Sequence, residues 1–435
     1  MKFVKDSLTT IVTQFALTAT SMLIGIMTAR LLGPEGRGAF TLIRLGNVML
    51  IVIGCLGVQQ SIVYFIGKKR FPLSEIIGDA IGLASVSGLI IVIIFGVFVD
   101  YWRFLFFKNI SKGYVLTLIG LAPIGILSVY LRHVFLGQNR IALYNLLYSA
   151  NLCLLLTLLI ITWLAFEFTL LTAVMVWSIS SLVSALIIFP FIAKVAPIRL
   201  AFSLKFFKEA VGFGYKAQLT GLASFFNIRL DSFIVGYFLG LADVGYYSIA
   251  VVITQLIWKI PNATSLVLFP RVSSSSSLEA NQISSKVCRN TLAVVLFLSL
   301  GLLLSGKFLI VLLFGAQYLP AANPLFILLP GTIALSISQV LSNDLIGRGR
   351  PELGMYATFL SLVATIILDF ALIPTLGVSG AALASTVAYS LGALAILYLF
   401  VRISGNSFRD TLIVRASDLR MYLDLCRKFR YRLAS

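Results

Sequence analysis

Long apolar stretches alternate with short polar or glycine-containing segments along the whole chain. A membrane-spanning helix needs about 20 consecutive, mostly apolar residues. On that basis the pattern predicts about twelve transmembrane helices and hence an all-α polytopic membrane protein. The predicted spans cover residues 7–31, 40–66, 76–98, 114–135, 143–165, 169–192, 210–238, 244–269, 291–314, 323–345, 354–373 and 378–401.

Lysine and arginine residues favour one set of connecting segments. With the N-terminus placed inside, the cytoplasmic segments hold 24 of the 34 basic residues, and five more lie within spans. Cytoplasmic segments of membrane proteins carry such an excess of positive charge. We therefore expect a multi-pass protein of the cytoplasmic (inner) membrane with both termini in the cytoplasm. The outside segments hold Arg30, Arg37, Arg103, Lys108 and Lys112.

Composition excludes several classes of protein. Apolar residues make up 59% of the chain, charged residues 11%, and the mean hydropathy is +1.02. These values exclude a water-soluble enzyme, a disordered chain and a disulfide scaffold. A net charge of +18 would elsewhere suggest nucleic acid. Because the positive charges here cluster at cytoplasmic helix ends, we expect the lipid bilayer, and no nucleic acid, as the partner.

The chain matches itself weakly at an offset near 210 residues. The matching segments occur in the same order and at equivalent points of the hydropathy pattern, which indicates a duplication. An even number of spans per half makes the repeats parallel, related by a pseudo-twofold axis along the membrane normal. The motif LGxxxxG at 32–38 returns at 239–245, LFF at 105–107 returns as LLF at 312–314, and GQNR at 137–140 returns as GRGR at 347–350.

This duplication predicts three regions. Residues 1–200 and 201–402 would each form a six-helix bundle, and residues 403–435 a basic cytoplasmic tail. Repeated halves are typical of transporters that bind substrate between them and alternate access by rocking. Apolar residues of the tail share one helical face, which predicts an amphipathic helix on the anionic membrane surface, with a solvated tail as the alternative. That face contains Leu419, Tyr422, Leu423, Cys426, Phe429 and Leu433.

Polar residues concentrate in the first, second, seventh and eighth spans. A polar stripe on an apolar helix either lines a cavity or packs closely against another helix. The stripe of the first span contains Ser7, Thr10, Gln14, Thr18, Ser21, Gly25 and Thr28. The other three spans carry Arg44, Asn47 and Gln59, then Lys216, Gln218, Thr220, Asn227, Arg229 and Asp231, and finally Gln255 and Lys259.

Arg229 and Asp231 are two residues apart, so they lie roughly 200° apart on a regular helix and cannot face the same cavity. We predict that Arg229 faces a cavity, whereas Asp231 pairs with a neighbouring helix or stabilises a helix break. A charge in mid-span costs roughly 2.5–3.5 kcal/mol on insertion scales, which makes an ion without a role improbable. A buried structural ion pair is the alternative. Lys307 and Asp369, nearer to span ends, are predicted to be interfacial.

Three stretches resemble the polysaccharide (O-antigen-type) flippases of the multidrug/oligosaccharidyl-lipid/polysaccharide exporter superfamily. They are TARLLGPEGRGAF at 28–40, NIRLDSFIVGYFLGLADVGYYSIA at 227–250 and GVSGAALAS at 377–385. The resemblance covers essentially the whole chain. It implies two six-helix bundles with the first, second, seventh and eighth spans lining the cavity. It also implies transfer of a polyprenyl-diphosphate-linked oligosaccharide, an O-antigen or exopolysaccharide repeat unit, from the cytoplasmic to the outer leaflet.

The charge of these four spans agrees with such a substrate. Their basic residues outnumber Asp231, the acidic residue among them, and guanidinium groups bind diphosphate bidentately whereas lysine acts as a point charge. Amide side chains suit sugar hydroxyls. Asp231 is the candidate for an ion pair or for ion coupling. The predicted substrate-binding residues are Arg229, Arg44, Lys259, Lys216, Gln14, Gln59, Gln218 and Asn227.

No motif in the sequence indicates catalysis, a metal site or a cofactor, so we expect a protein that is not an enzyme. His133 lies at a helix end and is predicted to be an interface residue. Two alternatives to a flippase remain. A drug or cation antiporter of the same superfamily would need acidic residues, yet the first six spans have none in mid-span. A non-transporting scaffold of envelope polysaccharide synthesis would need no polar lining. Polymerase and other polysaccharide-assembly proteins are candidate partners.

Overall fold

The computed structural model describes residues 2–197, 203–415 and 418, with the side chains of 2–15 and of residue 266 left out. Every regular element in these ranges is helical. The predicted tail helix at 419–433 lies outside the described residues. A 3-10 helix occupies Ala316–Ala321. The α-helices are α1 (Lys2–Gly54), α2 (Val58–Lys68), α3 (Leu73–Val97), α4 (Val99–Phe106), α5 (Lys112–Gly137), α6 (Ile141–Ala165), α7 (Leu170–Ala193), α8 (Leu204–Phe238), α9 (Leu241–Ser274), α10 (Ser277–Phe314), α11 (Ala322–Gly347), α12 (Pro351–Leu376), α13 (Val378–Ser404) and α14 (Phe408–Leu412).

The predicted fold class, an all-α polytopic membrane protein, is confirmed. Among the described residues, ten helices are long and apolar enough to cross a membrane. One of them, Ala16–Gly54, contains most of the predicted first span and the start of the second. The predicted seventh span corresponds to α8, a helix with six charged residues that is not among the ten. The described helices thus agree with the predicted number of about twelve spans.

The connection between the first and second spans is a kink rather than a loop. Gly33 has φ 69°, a left-handed conformation that favours glycine. Pro34 follows and begins the next helical segment, where its missing N–H is tolerated. As a result Arg37, which the sequence places in an outside connecting segment, lies inside α1 and is only 7% exposed. Asp369 is fully buried inside the protein, and its predicted position near the membrane interface stays a prediction.

Contacts divide the chain into two compact units. Unit 1 comprises Met1–Ser248 and Val311–Tyr318, and unit 2 comprises Ile249–Ile310 and Leu319–Ser435. Each unit buries its own apolar side chains. The predicted division of the repeated halves near residue 200 stays a prediction.

The helix ends preserve the internal repeat. After α5, Asn139 has φ 60°, and after α11, Gly349 has φ 76°, at the same position in the repeat. At both ends three backbone N–H groups donate to carbonyls three to five residues earlier, over 2.8–3.1 Å after α5 and 2.9–3.0 Å after α11. The same turn therefore recurs at an offset of 210 residues, and this recurrence supports the inferred duplication.

Equivalent segments of the two repeats also make equivalent contacts within unit 1. The end of α10 lies against α1, where Arg30 Nε donates to the carbonyl of Leu313 over 2.8 Å. The residue equivalent to Arg30, at an offset of 207, is Tyr237 in α8. Its ring contacts Phe104 at 6.1 Å between centroids, and the Lys108 ammonium lies 5.4 Å from its centroid. Each repeat therefore sends a short segment onto the first span of the other.

Two glycines bring the helices that follow these segments into close contact. A Cβ atom added to Gly38 would lie 1.7 Å from the carbonyl oxygen of Leu241. A Cβ atom added to Gly245 would lie 2.1 Å from the carbonyl oxygen of Pro34. Gly38 and Gly245 are equivalent positions of the repeat, so the contact is reciprocal. Close packing through small residues is a common way for membrane helices to associate.

A side chain at either glycine should destabilise unit 1. We expect Gly38→Ala and Gly245→Ala each to lower the unfolding free energy by about 1–3 kcal/mol, because the added methyl group forces two backbones apart. Thermal unfolding of the purified protein in detergent measures this change.

Gly221→Ala is the matched control, since nothing lies within 4 Å of a Cβ atom built on Gly221 in α8. Alanine has the higher helix propensity, so this variant should be slightly more stable than the wild type. Equal stability of the three variants would contradict a close contact at Gly38 and Gly245.

Unit 2 contains a buried ion pair between α10 and the segment that follows α14. Arg289 donates to both carboxylate oxygens of Asp418, through Nη2 over 3.0 Å and through Nε, and both side chains are less than a tenth exposed. The Arg289 guanidinium lowers the pKa of Asp418 to about 2. An unperturbed aspartate has a pKa of about 3.9. The stabilisation is therefore complete above that value and is lost as the pH falls through about 2.

Removing the Asp418 carboxylate should release this segment at neutral pH. Asp418→Asn leaves the buried Arg289 charge without its partner, a change that costs about 3–5 kcal/mol in other buried pairs. We expect trypsin to cleave after Arg415 at least tenfold faster than in the wild type. The control is Asp410→Asn, because Asp410 pairs with Arg415 at the surface, where an ion pair contributes little. Equal cleavage of the two variants would show that the Arg289 pair does not hold the segment.

Candidate functional site

Four helices of unit 1 surround a polar cavity of about 220 Å³. We call it the unit 1 cavity. Its walls come from α1, α5, α6 and α7, which are otherwise strongly apolar. The lining residues with polar or aromatic side chains are Arg44, Asn47, Ser128, Arg132, Tyr148, Asn151, Trp177, Ser181 and Ser184.

Arg44 connects this cavity with two further arginines. It is half-buried, and its guanidinium carbon lies 5.6 Å from the centroid of the Phe40 ring, a cation–π contact. Arg44 interacts electrostatically with Tyr148 and Arg229, and Arg37 interacts with Arg44. Since all three residues belong to unit 1, we refer to Arg37, Arg44 and Arg229 as the arginine cluster. Like charges repel at short range, so the cluster is suited to binding an anion.

Arg37 is a member of the cluster that sequence reasoning misses. Its Nη1 group donates to the hydroxyl of Thr28 over 2.6 Å, and its Nε atom is buried without a hydrogen-bond partner among the described residues. Thr28 in turn donates to the carbonyl of Ile24 over 2.7 Å. This part of the polar stripe on the first span therefore positions an arginine side chain.

Asp231 is buried within unit 1. Its carboxylate accepts hydrogen bonds from the Tyr247 hydroxyl and, over 2.7 Å, from the backbone N–H of Ser232. Tyr247 lies on α9, the helix that follows α8. These donors stabilise a buried negative charge. Roles for Asp231 in ion pairing or ion coupling stay predictions.

The other predicted site residues occupy different environments. Gln218 is buried and donates to the carbonyl of Val52, which joins α8 to α1. Asn227 is also buried, and the amide oxygen of Gln59 is enclosed without a hydrogen-bond partner among the described residues. Lys216 and Lys259 are exposed, and Lys259 belongs to unit 2. The side chain of Gln14 lies outside the described residues.

Arg132 is the second arginine of the unit 1 cavity and is not among the site residues predicted from the sequence. In the structure α5 continues past it to Gly137. Its Nε atom donates to the carbonyl of Ser128 over 3.1 Å, and its guanidinium carbon lies 5.3 Å from the centroid of the Tyr148 ring. Isolated polar residues within the apolar helices α6 and α7, such as Asn151 and Ser184, are the signal by which the sequence indicates this cavity.

His133 donates to the carbonyl of Val129 over 2.7 Å.

Arg37, Arg44 and Arg132 form no ion pair within the part of the chain that the structure describes. Likewise, no group of three or more metal-ligating side chains is present among these residues. Unit 1 therefore offers several guanidinium groups and several neutral hydrogen-bonding groups, an arrangement suited to an anionic, hydroxyl-rich ligand.

Comparison with known proteins gives a family. Residues 27–323 match the family described as polysaccharide biosynthesis protein. The probable low-salt glycan biosynthesis flippase Agl15 of Haloferax volcanii is 26% identical over 193 residues, which cover 43% of this chain and 41% of that protein. The putative O-antigen transporter of Shigella flexneri is 25% identical over 206 residues, covering 46% and 49%. The matches thus span less than half the length of these relatives.

Solved structures show the same fold. The lipid II flippase MurJ in an inward closed conformation superposes with a TM-score of 0.78 at 17% identity, covering 91% of this chain and 90% of that one. An inward-facing multidrug resistance MATE family transporter of the MOP superfamily gives a TM-score of 0.73 at 18% identity, covering 89% and 95%. At these identities the likeness concerns the fold.

Proposed function

The chain belongs to the polysaccharide biosynthesis protein family, and from that premise we propose that it is a flippase for a polyprenyl-diphosphate-linked oligosaccharide. The cargo would be an O-antigen or exopolysaccharide repeat unit, which moves from the cytoplasmic to the outer leaflet of the cell membrane. The observation that carries this proposal is the arginine cluster, a group of positive charges within an apolar helical unit.

The electrostatics of the cluster favour a diphosphate. Arg37 and Arg44 have no carboxylate partner among the described residues, and Arg44 interacts electrostatically with Arg229 and with Arg37. A diphosphate diester carries two negative charges at neutral pH and several acceptor oxygens. Guanidinium groups bind such oxygens through pairs of parallel hydrogen bonds. Diphosphate binding would therefore replace repulsion within the cluster with attraction.

The rest of the cargo can be placed by its chemistry. Neutral polar side chains of unit 1 would hydrogen-bond sugar hydroxyls, while the polyprenyl chain would stay in the lipid. Repeated six-helix halves permit alternating access to the two sides of the membrane. A cation antiporter is less compatible with this site, because two arginines and no acidic side chain line the unit 1 cavity.

Neutralising the cluster should stop transport. We expect Arg44→Gln and Arg229→Gln each to reduce flipping of a labelled polyprenyl-diphosphate oligosaccharide at least tenfold, because a charge-assisted hydrogen bond to the diphosphate is lost. The assay reconstitutes the purified protein in liposomes and measures how much label reaches an impermeant reagent on the opposite side.

Arg140→Gln is the matched control, since Arg140 is an exposed arginine of unit 1 outside the cluster and the unit 1 cavity. It should transport at the wild-type rate. Wild-type transport by folded Arg44→Gln and Arg229→Gln variants would refute diphosphate binding by the cluster. An absence of transport by the wild-type protein, under any imposed ion gradient, would refute the flippase itself for the cargo used.

A further inference from the structure

We propose that the unit 1 cavity is a subsite for an acidic sugar of the cargo, that is, a sugar that carries a carboxylate or a phosphate group. This inference rests on the proposed function, because it assigns a chemical class to the transported glycan. The cavity lies beside the arginine cluster and has its own charge, shape and set of polar groups.

The charge of the cavity calls for an anion. Arg44 and Arg132 are the charged residues of its lining, and neither forms an ion pair within the described residues. The lining contains no acidic side chain. Two partly buried positive charges thus lie among apolar helices, where an unbalanced charge is costly. An anionic ligand would balance them.

The arginine side chains are held in place without being neutralised. Arg132 uses Nε to donate to a carbonyl of its own helix and stacks on Tyr148, which leaves its two Nη groups to bind a ligand. The Arg44 guanidinium lies over the Phe40 ring. A guanidinium held in this way loses little conformational freedom when it binds a carboxylate or phosphate bidentately.

The remaining lining suits a sugar ring rather than a bare ion. The cavity of about 220 Å³ has the volume of about seven water molecules at roughly 30 Å³ each. Tyr148 and Trp177 provide apolar ring faces, and Asn47 provides an amide. The Asn151 amide donates to the Ser184 hydroxyl over 2.6 Å, which orients Asn151 with its carbonyl oxygen as an acceptor for a ligand hydroxyl. A small inorganic ion would use few of these groups.

Arg44 also indicates which sugar of the glycan this would be. It belongs to both the arginine cluster and the cavity lining. Along α5 the cavity extends from Leu121 to Arg132, or about 16 Å at 1.5 Å per residue. A diphosphate at the cluster would thus have an acidic sugar close to the lipid end of the glycan in the cavity.

The test measures binding to the purified full-length protein in detergent by saturation-transfer NMR, a method suited to weak ligands. The probes are glucuronate, glucose and acetate, which separate an acidic sugar from a neutral sugar and from an anion without a ring. We expect glucuronate to bind at least tenfold more tightly than either of the others, in keeping with a charge-assisted hydrogen bond. This comparison uses the wild-type protein and requires no variant.

Two variants locate the site. Arg132→Gln should weaken glucuronate binding about tenfold, and Arg132→Lys, which keeps the charge, should restore part of it. Arg140→Gln should bind as the wild type does. Unchanged glucuronate binding by a folded Arg132→Gln variant would place the site elsewhere and overturn the proposal.

Other outcomes also overturn it. Equal binding of glucose and glucuronate would remove the acidic group from recognition, and equal binding of acetate would reduce the cavity to a simple anion site. Failure of the proposed function is a separate result. Transport of a diphosphate-linked cargo without glucuronate binding refutes the subsite alone. Glucuronate binding that depends on Arg132, in a protein that does not flip the cargo, supports the subsite and refutes the flippase.

Discussion

A positive charge inside an apolar helix bundle needs a negative partner or a polar surface, because the low dielectric of the interior strengthens every unbalanced interaction. In unit 1, Arg37, Arg44 and Arg132 make no ion pair among the described residues. A hydroxyl, a helix carbonyl and aromatic ring faces hold their guanidinium groups instead. These contacts fix the positions of the guanidinium groups but do not neutralise their positive charge. That charge determines that unit 1 is suited to bind an anion.

Two arginines of unit 2 are paired with carboxylates of the same unit. Arg289 pairs with Asp418, and Arg348 pairs with Asp344 over 2.7 Å, so these charges are neutralised inside the unit. The positions of unit 1 equivalent to Asp344 and Arg348, at an offset of 210, are valine and glutamine. The two repeats thus share this helix-end geometry and differ in the charges beside it, while Arg37, Arg44 and Arg132 of unit 1 form no ion pair among the described residues.

Much of this architecture is predictable from the sequence. The spans follow from the length of the apolar runs, and the duplication from motifs that turn out to share one helix-end geometry. Arg44 and Arg229 stand out because they interrupt apolar runs. Arg37 and Arg132 do not, because each lies near a helix end, where hydropathy cannot distinguish a cation in a loop from one in a helix. In the structure the kink at Gly33 replaces a loop, and Arg37 therefore lies within α1. The burial of Asp369 is likewise not revealed by its distance from the end of a span.

The reciprocal contact between Gly38 and Gly245 has a consequence for the ancestry of the fold. In each case a glycine of one repeat meets the backbone of the other at the equivalent place. A contact in which residue i meets j and j meets i is the signature of an isologous interface in a symmetric dimer. A half-length ancestor would therefore have associated with a second copy of itself through this glycine, before fusion joined the copies and allowed their charges to diverge.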